Sequence, residues 1–139
     1  MGARSKARKR AVDVLYAAAL RDADPVKLLL ERNEAVEHPV PNDYATTLVE
    51  GVVAHRERID QLLAEHAEGW TVARMPAVDR NLLRIAVFEL LWVDEIDDPV
   101  AITEAVELAR TLSTDDSPRF LNGVLSRIAE LSPYLRTTR

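Results

Sequence analysis

Residues 77–93 read AVDRNLLRIAVFELLWV. Leu82, Leu83, Ile85, Ala86, Val87, Leu90 and Leu91 recur at three- and four-residue steps and leave little polar surface. A surface helix keeps a polar face, whereas a helix that is apolar nearly all round must sit among others. The stretch therefore predicts a central helix from Ala77 to Val93. Ala, Leu, Glu and Arg dominate the rest, and no long segment alternates with period two. The fold class expected is all-α.

Working outward, Asp97-Asp98-Pro99 is a cap followed by proline, which resets the chain for a helix from Val100 to Leu112. Ile102, Ala105, Val106, Ala109 and Leu112 would face inward. Asp115-Asp116-Ser117-Pro118 opens a last helix, Arg119 to about Leu131, and Pro133 is expected to stop it. In the other direction, Gly69 ends a segment, and Thr71 caps a single turn closing at Met75-Pro76. A long helix ends near His66 and starts at a cap on Asn42 or Asp43. Its expected core face is Leu48, Val49, Val52, Val53, Ile59, Leu62 and Leu63. The prolines of His38-Pro39-Val40-Pro41 break the chain before it. Asp24-Pro25 starts a short helix carrying Val26, Leu29, Leu30 and Val36, and Ser5 to Arg21 form the first helix. The sum is a compact bundle of about six to seven helices. It reads as one domain over 1–139, in two small halves at about 1–66 and 70–139, without a flexible linker.

Composition narrows the function. The 139 residues are 47% hydrophobic and suffice for a real core. The absence of cysteine removes disulfides, zinc–thiolate sites and cysteine nucleophiles, and fits a reducing cytoplasm. Four glycines and no GxGxxG or GxxxxGK argue against a phosphate-cradling loop. No apolar run approaches a membrane span, and Asp13, Arg21, Asp22 and Asp24 interrupt any signal-like stretch.

A catalytic or metal site is hard to assemble. His55 and His66 share a helix face but stand roughly 16 Å apart at 1.5 Å per residue, and His38 lies far from both. These read as surface or packed histidines. Glu104 and Glu107 sit three apart without a histidine to complete a metal set, so they read as a solvated face. No catalytic residue and no cofactor are assigned.

The charge distribution is more informative. MGARSKARKR, residues 1–10, holds five basic side chains and no acid. The other 129 residues hold all 23 acids and 13 Lys and Arg, so a head of +5 joins a body of −10. An acidic protein repels nucleic acid, but a local basic stripe can still hold a phosphate chain. On a helix Arg4 and Arg8 share a face, Lys6, Lys9 and Arg10 spread around the rest, and Tyr16 follows two turns beyond Lys9. A basic stripe ending in an aromatic ring suits phosphate grip and base stacking. The alternative is a solvated terminus that aids solubility.

TDDSPRFLNG, residues 114–123, is the second unusual stretch. A helix start offers free N–H groups. Phe120 is either a stacking platform or a core residue, Asn122 can read a base edge, and Arg119 is a candidate phosphate contact. Gly123 inside a helix costs about 1 kcal/mol relative to alanine, which points to a close helix–helix approach.

Three segments, ARKRAVDVLYAAAL, VDRNLLRIAVFEL and VAITEAVELARTLSTDDSPRFLNGVL, occur in an order and spacing that resemble the NusB family of bacterial transcription antitermination factors. The resemblance spans nearly the whole chain, although residues 23–43 match poorly. It implies a helical fold of two packed halves. It also implies binding to the boxA element of ribosomal RNA transcripts jointly with ribosomal protein NusE, with the other Nus factors and RNA polymerase engaged indirectly. By position it puts RNA contacts on Arg4, Lys6 and Arg8, with Lys9 beside them, on Tyr16, and on Asp116, Ser117 and Phe120. A NusE-facing segment would fall around Asp79, Arg80, Phe88 and Glu89. Ser5 stands where the family often carries arginine, which removes about one phosphate contact. Two other readings stay open. One is a self-associating interaction module, since some family members form homodimers. The other is a helical accessory domain like those of ribosomal RNA cytosine methyltransferases, although the Gly-rich loop and catalytic cysteine of those enzymes are missing here.

Overall fold

The computed structural model describes residues 2–34 and 44–139. Its helices are α1 (Ala3–Arg21), α2 (Pro25–Glu34), α3 (Tyr44–His66), α4 (Ala77–Trp92), α5 (Asp98–Leu112), α6 (Ser117–Glu130) and α7 (Ser132–Thr138), with one 3-10 turn at Val72–Arg74. No strand occurs among the described residues. The expected caps at Asn42 or Asp43, the break at 38–41, Val36 and His38 lie outside them.

α4 is central, as its composition requires. It packs on α1, α3, α5, α6 and α7, and every residue from Asn81 to Leu91 is buried. α1 ends where Asp22 takes a left-handed conformation (φ 51°) and the Ala23 N–H reaches back to the Ala18 carbonyl at 2.8 Å. The Asp24 carboxylate then accepts from the Val26 N–H at 2.9 Å, so the cap read at Asp24-Pro25 starts α2.

Four expectations change. Val53, expected in the core, is 42% exposed, and Leu30 also faces solvent. Both sit at the edge of a stripe already filled by Val49, Val52, Leu28 and Leu29. Pro133 does not simply stop the chain, because a proline in the first turn is compatible with a new helix, here α7. The Arg136 guanidinium donates to the Leu90 carbonyl at 2.9 Å and to Asp98 at 2.7 Å, which ties α7 to the end of α4 and the start of α5. Gly123 serves no close helix approach, since an added Cβ would meet only the Arg127 guanidinium, at an ordinary contact distance of 3.4 Å. That role belongs to Gly51, where a Cβ would overlap the Phe88 ring. Just beyond, α3 leaves helical geometry at His55 (φ −115°, ψ 15°), whose imidazole stacks on Trp92 with ring centres 4.2 Å apart. Of the two histidine readings, packing holds for His55.

Candidate nucleic-acid interface

α1 divides its residues by helical period. Ala7, Arg8, Ala11, Val12, Val14, Leu15 and Ala18 face inward. Arg4, Lys6, Lys9 and Tyr16 face solvent. Lys6, Lys9 and Tyr16 therefore stand on the exposed side of α1, and Arg4 is exposed in its first turn on the side that carries Arg8, an arrangement able to hold backbone phosphates and stack a base.

Arg8 is not among them. It is 3% exposed, and its guanidinium grips Glu89 of α4, with Nε donating to Oε1 at 3.0 Å and Nη2 to Oε2 at 2.8 Å. The Tyr44 hydroxyl donates to the same Glu89 Oε2 at 2.6 Å. The Glu104 carboxylate of α5 lies 3.7 Å from Arg8 Nη1 and accepts from the Ser5 hydroxyl at 2.8 Å. Arg4 lies over the Tyr44 ring, 5.5 Å from its centre. Burial works against the Arg8 charge, but Glu89 and Glu104 outweigh it and hold the guanidinium above its ordinary value. Burial and the Glu89 carboxylate together push the Tyr44 phenol well above its ordinary range. The network anchors the start of α1 to α3, α4 and α5 and so fixes where Arg4, Lys6 and Lys9 stand. It also corrects two readings: Arg8 is a strut instead of a phosphate contact, and Glu104 is an anchor instead of a solvated acid. Arg10 also reaches inward, to Asn33 of α2.

The second stretch folds around Asp79, which is buried at the start of α4. Its carboxylate accepts from Ser113 at 2.5 Å and from Ser117 at 2.9 Å, while Ser117 Oγ accepts from the Thr114 N–H at 3.2 Å. Asp79 and Ser117 thus hold the α5–α6 turn in place, with their side chains largely buried. Asp116, Arg119 and Asn122 remain exposed, with Arg119 3.1 Å from Asp116. Phe120 is half-buried, its ring centre 6.0 Å from that of Trp70 and tilted by 57°. The two rings, Pro76, Thr114 and Asp116 border an open groove of about 520 Å³, with Asp79 and Ser117 in its wall. Trp70 was not singled out in the sequence; an aromatic just after a helix-ending glycine was the available signal.

Of the residues expected to face NusE, Asp79, Phe88 and Glu89 are buried in this chain's own core, and Arg80 alone reaches the surface. The two buried carboxylates pair internally, Asp79 with Ser113 and Ser117 and Glu89 with Arg8 and Tyr44. No cluster of metal-ligating side chains occurs among the described residues, and none of their helices is long and apolar enough to cross a membrane. α1 and α6 are joined through α4 and α5, so the basic row and the Phe120 groove are held by one central helix.

The model of the NusB family matches residues 5–130. The chain belongs to the NusB family. It is 66% identical over 132 residues to the transcription antitermination protein NusB of Salinispora arenicola, covering 94% of this chain and 97% of that protein. A crystal form of T. maritima NusB superposes with a TM-score of 0.84 at 30% identity, covering 98% of this chain and 97% of that one. A chain from the crystal structure of the antitermination factors NusB and NusE in complex with dsRNA gives 0.79 at 31% identity, covering 91% and 96%. The all-helical reading and the NusB resemblance both hold, and the buried strut at Arg8 is a feature of this NusB-family core.

Proposed function

We propose that this chain is an RNA-binding adaptor of transcription antitermination that binds boxA-containing RNA together with NusE. It is an adaptor and not an enzyme. The observation that carries the reading is the joint one: membership of the NusB family, a fold shared with a NusB–NusE–RNA assembly, and a solvent-facing row of Arg4, Lys6, Lys9 and Tyr16. The basic side chains grip phosphates, Tyr16 stacks a base, and the rim of the Phe120 groove, with Asp116, Arg119 and Asn122, offers a second contact region. Surface acids such as Glu107 and Asp115 at α5 and its turn into α6 supply the negative charge that a basic ribosomal protein would meet. RNA polymerase and the other Nus factors are engaged through that assembly, in the cytoplasm.

Filter binding of boxA RNA, with and without NusE, tests the reading. Tight binding that NusE strengthens and that a scrambled RNA of equal length does not reproduce is expected. Equal affinity for both RNAs would refute it. Sedimentation of the free chain and of the RNA complex tests self-association, the second arrangement the family allows: a dimer that RNA dissociates would mean that the RNA face is covered in the free protein.

A further inference from the structure

The start of α1 carries the basic head, yet its N-cap is Gly2, which has no side chain to hold the first turn. Long-range contacts tie it down instead: the Ser5 hydroxyl on Glu104 at 2.8 Å, the Arg8 guanidinium on Glu89 at 2.8 Å, and Arg4 on the Tyr44 ring. The last differs from the other two. Ser5 and Arg8 are spent on carboxylates, whereas no hydrogen bond or ion pair engages the exposed Arg4 among the described residues.

Tyr44, the first residue of α3, is itself held at both ends. The helix fixes its backbone, and its hydroxyl donates to Glu89 Oε2 of α4 at 2.6 Å. Over the half-buried ring lie two guanidiniums, Arg8 at 5.9 Å and Arg4 at 5.5 Å from its centre. An exposed arginine on a helix ordinarily samples many rotamers, but Arg4 has a fixed aromatic face to lie on. A guanidinium laid on a ring keeps its N–H donors in its own plane, so they stay open to an anion. The nearby acids do not cancel the charge. Set against Arg4, Lys6, Arg8 and Lys9, Glu89 and Glu104 leave the start of α1 at +2. Lys6 and Lys9 have no aromatic support and supply charge without fixed geometry.

We infer that Tyr44 is a positioning residue of the RNA site: it holds Arg4 with its guanidinium fork free to take one backbone phosphate through two hydrogen bonds, and so sets where the strand lies on α1. Tyr44 acts through Arg4. The phosphate rests on the RNA-binding reading; the hold of Tyr44 on Arg4 does not. The size of the effect is bounded. An exposed cation–π contact shifts a rotamer equilibrium about two- to fivefold, and apparent affinity scales with the fraction of chains competent to bind. Lysine cannot replace arginine in a two-bond grip, so Arg4→Lys should cost affinity only while the ring holds position 4 in place.

The test uses the full chain with Tyr44→Phe, Tyr44→Leu, Arg4→Lys and Tyr44→Leu/Arg4→Lys, each kept well below its melting temperature. In the free proteins, NMR should find the Arg4 Nε–H signal moved upfield by the ring in wild type and Tyr44→Phe, and at its random-coil position in Tyr44→Leu. A random-coil position in wild type would overturn the hold, whether or not the chain binds RNA. With boxA-containing RNA, Tyr44→Phe should bind like wild type. Tyr44→Leu and Arg4→Lys should each bind about two- to fivefold more weakly at an unchanged salt slope, and the double variant no more weakly than Tyr44→Leu. Losses that multiply in the double variant, or wild-type affinity in Tyr44→Leu, would overturn the positioning role. A Tyr44→Phe variant as weak as Tyr44→Leu would overturn it too, by moving the effect from the ring to the hydroxyl. A wild-type chain that holds Arg4 on the ring but binds boxA-containing and scrambled RNA equally would instead refute the RNA-binding reading, and the phosphate with it.

Discussion

Arg8 and Glu89 form a bidentate ion pair inside the protein, 2.8 Å at its shortest, with side chains 4% and 1% exposed. The pair joins the basic head to the central helix, so the charge that looks most like a nucleic-acid contact is used to hold the fold. Removing one partner strands the other as an uncompensated buried charge, which costs about 3–5 kcal/mol. Glu89→Ala and Arg8→Ala should each lower the melting temperature substantially. The paired replacement Arg8→Met/Glu89→Leu should recover most of the loss, because apolar groups of similar volume need no partner. Thermal melts of the three variants check this; an additive loss in the double variant would contradict it.

Tyr44 makes the same network sensitive to alkaline pH. Its phenol is held above its ordinary value by burial and by donation to Glu89. A group whose folded value is raised contributes its full stability below the unfolded value, near 10, and loses it as pH rises toward the folded one. Between pH 10 and 12 the unfolded chain releases this proton while the folded chain keeps it, so stability should fall with pH. Tyr44→Phe should flatten that fall relative to wild type in urea titrations at pH 9 to 12.

Two glycines should respond in opposite directions to alanine. Gly51→Ala drives a methyl group into the Phe88 ring and should destabilise the chain by about 1–3 kcal/mol. Gly123→Ala adds a methyl that meets only the end of Arg127, and should gain up to about 1 kcal/mol of helix propensity. Chemical denaturation of both variants measures this.

Phe120 and Trp70 form an open aromatic corner. If a base stacks there, Phe120→Ala should lower RNA affinity by about 1–3 kcal/mol, roughly 5- to 150-fold, with an unchanged salt slope. RNA should also quench Trp70 fluorescence in a Trp92→Phe background. Full affinity in Phe120→Ala would leave Phe120 as a packing residue alone.

The fold was legible because the apolar residues of helix 77–93 leave it little polar surface and because Asp24-Pro25 and Asp98-Pro99 mark helix starts by local chemistry. The site was legible only in part. Four-residue spacing puts Arg4 and Arg8 on one face, but what separates them is Glu89, 81 positions away in the chain. Ser117 and Asp79 meet across 38 positions for the same reason. No local pattern shows that a charged side chain will find a buried partner. Nor could Gly123 be told from Gly51, since both sit inside helices and only the neighbouring Phe88 ring distinguishes them. The exposed members Lys6, Lys9 and Tyr16 were readable because solvent exposure follows helical period, whereas Arg4 shares the Arg8 side and is exposed by its place in the first turn.

The central claim is that three basic groups of α1, and not five, face the RNA. The salt dependence of boxA RNA affinity measures this most directly, for wild type and for Arg4→Ala/Lys6→Ala/Lys9→Ala. The account predicts that the triple variant loses about 2 from the slope of log affinity against log salt, at roughly 0.7 per phosphate contact, while keeping the wild-type melting temperature. Parallel slopes for the two proteins would contradict it.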